Sequence, residues 1–260
     1  MARVLLALAA ARAVSLADAH SVHNVLSYGA DSSGATSSTP AVHRALAAIA
    51  AAGGGTLYFP PGHYSSAPLN LTSNTVLLLD FATLRASTHQ SDFKLVAPLP
   101  SYGEGRDKLP NDLAGRFQPF IGIYNASNVS ITTNSSGILH GSGEVWWAEK
   151  AAGLLRNTPP HLIEAGWSTD LSFGAPPGSP QDALVFQSSP FWNLHIYTCD
   201  NAWVHDVSIL ADPSACRMCN CAASLPVNTN PALTLSTLQH PTKLHIAYNK
   251  NSQLKETQMA

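Results

Sequence analysis

From Leu69 onward the chain alternates short apolar runs with clusters of Asn, Ser, Thr and Gly. The runs are Val76–Leu79, Ile121–Tyr124, Val129–Ile131, Leu184–Phe186, Leu194–Tyr197 and Val204–Leu210. Apolar runs this short, bounded by turn-forming residues, read as strands. Two segments echo each other, Asn128-Val129-Ser130-Ile131 and Asp206-Val207-Ser208-Ile209. The step from Ala183-Leu184-Val185-Phe186 to Val207-Ser208-Ile209-Leu210 is 24 residues, within the ~20–45 residues of a solenoid repeat. The pattern predicts an all-β solenoid in which each coil buries its apolar positions against the next. A β-sandwich is the alternative, but its strands come at steadier, shorter spacing.

Helical periodicity is confined to the N-terminal part. Val25–Asp31 predicts a short strand ending in a turn. Ser37-Ser38-Thr39-Pro40 predicts a helix start, with Ser38 or Thr39 as cap and Pro40 at the first helical position. Val42, Ala45, Leu46 and Ile49 then share one face, and Gly53-Gly54-Gly55 ends the helix before the strand Thr56–Phe59 and the turn Pro60-Pro61-Gly62. A solenoid needs such a helix, because its first coil otherwise exposes an apolar end and open sheet edges. The triple glycine is not a phosphate loop. It follows a helix and precedes a strand, whereas phosphate cradles run from a strand through glycines to a helix N-terminus.

Composition narrows the class. The chain has 260 residues, only 12% of them charged, and a net charge of −2. Without a basic run there is no electrostatic footprint for nucleic acid. Met1–Ala19 has the layout of a secretory signal peptide: Arg3, the apolar stretch Val4–Ala11, and Ala17-Asp18-Ala19 as a small-x-small cleavage site that leaves His20 as the first mature residue. No later stretch approaches the ~18–20 apolar residues of a membrane span. Export is the expectation, and glycosylation sequons at Asn70, Asn125, Asn128 and Asn134 agree with it. Asn125 and Asn128 are too close for both to carry a glycan. Cysteines stand at 199, 216, 219 and 221. Cys216-x-x-Cys219-x-Cys221, with His240 or His245 as a fourth ligand, has metal-like spacing. It lacks a second Cys-x-x-Cys or a spaced His pair, and an exported chain favours disulfides, so no metal is expected and the pairing stays open.

The stretch Ser189-Pro190-Phe191-Trp192-Asn193-Leu194-His195 through Asp200-Asn201 reads as strand, turn, strand. Its Trp-Asn-x-His segment is either a ligand surface or, the stronger expectation, a packed strand with satisfied polar tips. Ser168-Thr169-Asp170 contains a Thr-Asp but precedes this stretch and so falls on an earlier coil, which gives Asp170 no catalytic role, and Asp200, Asp206 and Asp212 read as turn and strand-end residues.

Several motifs now fall in a recognisable order: Val25–Asp31; Gly53-Gly54-Gly55 through Pro60-Pro61-Gly62; Val96-Ala97-Pro98-Leu99-Pro100-Ser101-Tyr102-Gly103-Glu104-Gly105-Arg106-Asp107; Asn128–Thr132; Gly137–Gly143 with Trp146-Trp147; Pro160-His161-Leu162-Ile163-Glu164; and Ser188–Asn193 through Asp212. Over residues 22–213 the chain resembles the plant-type polygalacturonase-like members of the family 28 glycoside hydrolases. The resemblance implies a right-handed parallel β-helix and hydrolysis, with inversion, of the α-1,4 bonds of galacturonan, without metal or organic cofactor.

Two departures follow. Gly174-Ala175-Pro176-Pro177-Gly178-Ser179-Pro180 interrupts two strands that the family joins directly, and is expected to loosen one coil. More important, the resemblance implies that Val204–Leu210 leads into Ser-Pro-Asn-Thr-Asp-Gly, followed by Asp-Asp, Gly-His-Gly and Arg-Ile-Lys. Inverting hydrolysis needs two carboxyl groups ~6.5–9.5 Å apart. Here Asp212-Pro213-Ser214 runs into Ala215-Cys216-Arg217, none of those motifs follows, and Glu256 is the sole acidic residue after Asp212. His140-Gly141 lies in an early glycine turn and does not map onto the family's catalytic His. No catalytic residue is carried over, and substrate-binding residues stay unassigned. The expected organisation is a signal peptide at 1–19, a truncated polygalacturonase-type β-helix at 20–213, and an irregular or disordered tail at 214–260. The protein is expected to be a monomer in the cell wall or extracellular space. The partner that the resemblance implies for a functional protein is a pectin-type galacturonan, but without the catalytic motifs the chain is expected to be an inactive fragment. The rival reading is a secreted non-catalytic β-helix that binds wall polysaccharide.

Overall fold

The computed structural model describes residues 21–97, 115–210 and 245–247. The leader at 1–19, Pro98–Asp107, Asp212, the cysteines 216, 219 and 221 and the segment 249–260 lie outside the described residues.

The apolar runs wind into a parallel β-helix. The first turn of the chain is β1 (Val22–Asn24), β2 (Ser33–Ser37) and the helix α1 (Thr39–Ala51). Next come β3 (Gly55–Phe59), β4 (Gly62–Ser66) and β5 (Leu69–Leu71), then β6 (Thr75–Leu79) and β7 (Ala82–Ala86). After the antiparallel pair β8 (Leu95–Val96) and β9 (Arg116–Phe117), the coils continue with β10 (Ile121–Tyr124), β11 (Ser127–Thr133) and β12 (Gly137–His140). The helix α2 (Gly143–Ala151) precedes β13 (Ile163–Gly166), β14 (Thr169–Phe173), β15 (Leu184–Gln187), β16 (Leu194–Tyr197), β17 (Asp200–Val204), β18 (Val207–Leu210) and β19 (His245–Ala247).

Three parallel sheets result. The first has the order β1-β3-β6-β11-β14-β17, the second β2-β4-β7-β12-β15-β18, and the third β5-β10-β13-β16-β19. Connections between parallel neighbours are right-handed in nearly all proteins, which gives the solenoid its right-handed sense. Every other residue of a strand points inward, so in-register coils stack like on like. Leu57, Leu77, Ile131, Phe173 and Val204 form one inner column on the first sheet. Tyr64, Leu84, Leu139, Phe186 and Ile209 form another on the second. All ten are at most 5% exposed. The helix α1 buries Val42, Ala45 and Ile49 over the end of this core and so acts as the cap.

Corners are built from left-handed backbone. Asn74 (φ 58°), Asn128 (φ 58°), Asp170 (φ 56°) and Asn201 (φ 53°) occupy equivalent places in successive coils. Short polar side chains tolerate this region, and here they also pair across coils. The Asn128 amide donates to Asn74 Oδ1 at 3.1 Å, and the Asn201 amide to Asp170 Oδ1 at 2.6 Å. Asp206 (φ 46°) occupies the corresponding kind of corner before β18. The sequence echo between residues 128–131 and 206–209 therefore reflects shared corner chemistry on two different sheets. The repeat step is one residue tighter than the sequence suggests, with Leu184 opposite Val207.

Other expectations are corrected. Val25–Tyr28 is a 3-10 turn, not a strand, because the Asn24 side chain accepts from Leu26 N and Gly29 takes φ 84°. Ser38 stands at the start of α1 but makes no capping bond; its hydroxyl is tied to Asp31 N and O instead. The helix α2 went unforeseen, since its apolar residues Val145, Trp146 and Trp147 are consecutive and show no period. The Gly174–Pro180 loop does not loosen its coil: β15 keeps full register with both β12 and β18. Inside the tail, β19 pairs in parallel with β16.

That loop supplies a test. A Cβ on Gly174 would sit 2.0 Å from the carbonyl oxygen of His205, whereas Gly178 (φ 84°) has open space around it. Gly174→Ala is expected to cost about 3 kcal/mol or more through overpacking. Gly178→Ala is expected to cost only the ~1–2 kcal/mol of a left-handed backbone. Urea unfolding midpoints of the two variants, measured side by side, check the difference.

Candidate functional site

The longest links lie at one corner. The links from the second sheet to the third are residues 87–120, 141–162, 188–193 and 211–244, apart from the short first link at 67–68. The links from the third sheet to the first are tight throughout. The described parts of these links carry Arg116, His161, Phe191 and Trp192 onto the outer surface of the third sheet.

Register places Asn70, Gly122, Glu164, His195 and His245 in one column along that sheet. Tyr124, Gly166, Tyr197 and Ala247 form the next outward column. Alternation sends the side chains of Asn70, Tyr124, Glu164, His195 and Tyr197 away from the helix interior, since Ile163 and Ala165 on one side of the β13 pleat are core residues. Gly122 leaves room for its neighbours' side chains, since a Cβ there would lie 2.3 Å from Asn70 Oδ1 and 2.9 Å from the Tyr124 ring.

Glu164 is the hub. It is fully buried, as is His195, while His161 is 1% and Arg116 4% exposed. Arg116 Nη2 donates to Glu164 Oε1 at 2.6 Å, and the Tyr124 hydroxyl donates to the same oxygen. Glu164 Oε2 faces His195 Nδ1 at 3.2 Å and His161 Nε2 at 3.5 Å. The His161 ring stacks on Phe191 (5.2 Å) and Trp192 (5.1 Å), which roof the cluster. Burial by itself pushes the Glu164 carboxyl up. The His195 hydrogen bond, the neighbouring His161 and Arg116, and the Tyr124 hydroxyl outweigh it and hold the group down at about 2. Burial, then the Glu164 charge, raises the Tyr124 phenol.

His161, Glu164 and His195 offer three donor atoms within 4.8 Å of one another, a spacing that suits a tetrahedral cation. The surroundings do not fit one. The carboxylate is already neutralised by a buried guanidinium, and a divalent ion would add two positive charges to a site without solvent. The cluster is a buried ion pair braced by hydrogen bonds. It clamps the strand β13 to β9, β10 and β16.

The residues singled out from the sequence scatter. His195 belongs to a packed strand. Asp170 and Asn201 form a corner ladder, Asp200 starts β17 and Asp206 holds a corner. His140 is buried and its Nδ1 accepts from Ser142 N at 3.0 Å. The Cys199 thiol is free, buried, and donates to the Tyr197 carbonyl. The sequon residues Asn70, Asn125, Asn128 and Asn134 are all exposed. Sequence reasoning missed the hub. Its signal was a glutamate inside the apolar strand Leu162-Ile163-Glu164-Ala165, but its partner Arg116 stands 48 residues away.

A depressed folded pKa means that Glu164 stabilises the fold above the unfolded value of about 4.3 and loses that contribution as pH falls toward 2. The expected outcome is a stability that declines between about pH 5 and pH 2. In Glu164→Gln this decline is flattened, while stability near pH 7 drops by about 3–5 kcal/mol because Arg116 loses its carboxylate. Thermal melts across pH for both proteins check it.

The family model described as "Rhamnogalacturonase A/epimerase, pectate lyase-like" matches residues 22–113. A curated "Probable polygalacturonase" of Vitis vinifera is 34% identical over 197 residues, which is 74% of this chain and 37% of that protein. Among solved structures, the hyperthermoactive exopolygalacturonase of Thermotoga maritima superposes with a TM-score of 0.55 at 18% identity, covering 73% of this chain and 47% of that one. The family 28 exopolygalacturonase of Yersinia enterocolitica gives 0.54 at 15% identity, covering 74% and 39%. The structures share the fold, the Vitis protein shares the sequence as well, and this chain spans less than half the length of each. The chain therefore resembles the polygalacturonases in sequence and in fold, over a length that fits an N-terminal portion of its longer relatives.

Proposed function

We propose that this protein is exported to the cell wall and acts at pectin-type galacturonan. In this reading the third sheet supplies part of a polysaccharide-facing surface, and the 260-residue sequence does not itself hydrolyse the α-1,4 bond. One observation carries the second half of the proposal. The strand of the third sheet that follows β18 is the place where the family resemblance expects the Asn-Thr-Asp carboxylate. That place beside β16 is held by β19, whose His245 lies opposite His195. On the described third-sheet strands the one carboxylate is Glu164, and it is sealed into an ion pair. Inverting hydrolysis needs an acid and a base with room for water between them, and a buried, permanently charged Glu164 provides neither. The leader-like first 19 residues, the exposed sequon asparagines and the Vitis relative support export. No helix among the described residues is long and apolar enough to cross a membrane.

This reading makes the protein a non-catalytic wall-polysaccharide binder, and it is supported by the described third-sheet strands, which carry no second carboxylate beside Glu164. In a reducing-end assay on polygalacturonate, the mature protein is expected to release no more sugar than buffer. Release of reducing ends, with the inverted anomer seen by NMR, sinks the proposal.

A further inference from the structure

Among the described non-glycine residues, left-handed backbone falls on Asn, Asp, Ser and Thr with two exceptions, Phe81 (φ 48°) and Trp167 (φ 51°). A bulky aromatic in this backbone region is costly, and such strain persists where something else requires the residue. Trp167 follows β13 directly, at the rim of the outer surface of the third sheet, and is 45% exposed. Its column neighbours in adjacent coils are Asn125 (φ 50°) and Thr198 (φ 51°), the polar residues that the corner ordinarily takes.

The indole is held in place. Trp167 N donates to the Tyr197 carbonyl at 3.1 Å, and the Tyr197 ring meets the Trp167 ring edge-on at 5.5 Å and 90°. Gly166 leaves room below, since a Cβ there would lie 3.3 Å from the Tyr124 ring. Tyr124, Trp167 and Tyr197 thus place an aromatic at the end of three successive third-sheet strands. Coils repeat every ~4.8 Å, close to the length of one pyranose residue. A half-exposed aromatic ring held against a perpendicular neighbour loses little entropy on binding, and the flat face of an indole suits the C–H face of a sugar.

We propose that Trp167 is a stacking platform for a pyranose ring of an acidic polysaccharide chain lying along the helix axis at the rim of the third sheet. The inference rests on the galacturonan reading above, and the test separates the two. Two variants of the full mature protein are compared with wild type, Trp167→Asn, and Phe81→Asn as a corner control on the far side of the coil, all three made in a bacterial host that adds no N-glycan, because the substitutions create sequons with Ser168-Thr169 and Ala82-Thr83. Thermal melts are read together with calorimetric titration of oligogalacturonate and of a neutral xylo-oligosaccharide. Both substitutions relieve left-handed strain, so each is expected to raise Tm by about 2–4 °C. Only Trp167→Asn is expected to weaken oligogalacturonate binding, by about tenfold. Unchanged affinity in Trp167→Asn overturns the platform and leaves the galacturonan reading standing. Trp167-dependent binding of the neutral oligosaccharide alone keeps the platform and overturns the galacturonan reading. Absence of binding to either sugar by wild type overturns both.

Discussion

The structure depends on one constraint: every coil must hydrogen-bond to the one before it in register. Parallel pairing fixes which residue lies over which, and a slip of one residue would turn every inner side chain outward. The interior is therefore made of columns, Leu57 over Leu77 over Ile131 over Phe173 on the first sheet, with parallel columns on the other two. Stability in such an array adds up from neighbour to neighbour. The helix α1 matters more than its length suggests, because it closes the end where no earlier coil exists.

Register also governs the corners. A coil of three short strands must turn sharply between sheets, and a left-handed residue does it with the least chain. Asn and Asp recur there because they accept that backbone and because their amides and carboxylates reach the next coil, as Asn128 reaches Asn74. The corner between the second and third sheets is different. Its long links leave the ladder undisturbed, since β10, β13 and β16 return to full register after them. The Gly174–Pro180 loop illustrates the same tolerance at another corner, being extruded while β15 keeps its pairing.

Glu164 shows what these links do to the outer surface of the third sheet. A charged residue on the outer side of a strand would ordinarily be solvated. Here Arg116 from the first long insertion, His161 from the second, and the Phe191-Trp192 roof from the third remove the water and replace it with fixed partners. The arrangement locks three links to one strand. It also takes the carboxylate out of use as an acid or a base.

The strand-and-turn rhythm, the helical cap and the solenoid class were determined by the sequence alone, because inward alternation, corner polarity and capping periodicity are local properties. The family resemblance was legible for the same reason, through short motifs such as Pro160-His161-Leu162-Ile163-Glu164 and Gly53-Gly54-Gly55. What the tertiary structure decided was every relation across coils. The sequence marks His195 as notable, but only stacking puts it against Glu164, and only the fold over an insertion brings Arg116 to the same carboxylate. Trp167 reads as an ordinary aromatic until the corner column shows that it stands where Asn and Thr stand in the coils on either side. Contacts between residues 31 or 48 positions apart leave no periodic trace in the chain, since the length of each link is free while the register it returns to is not.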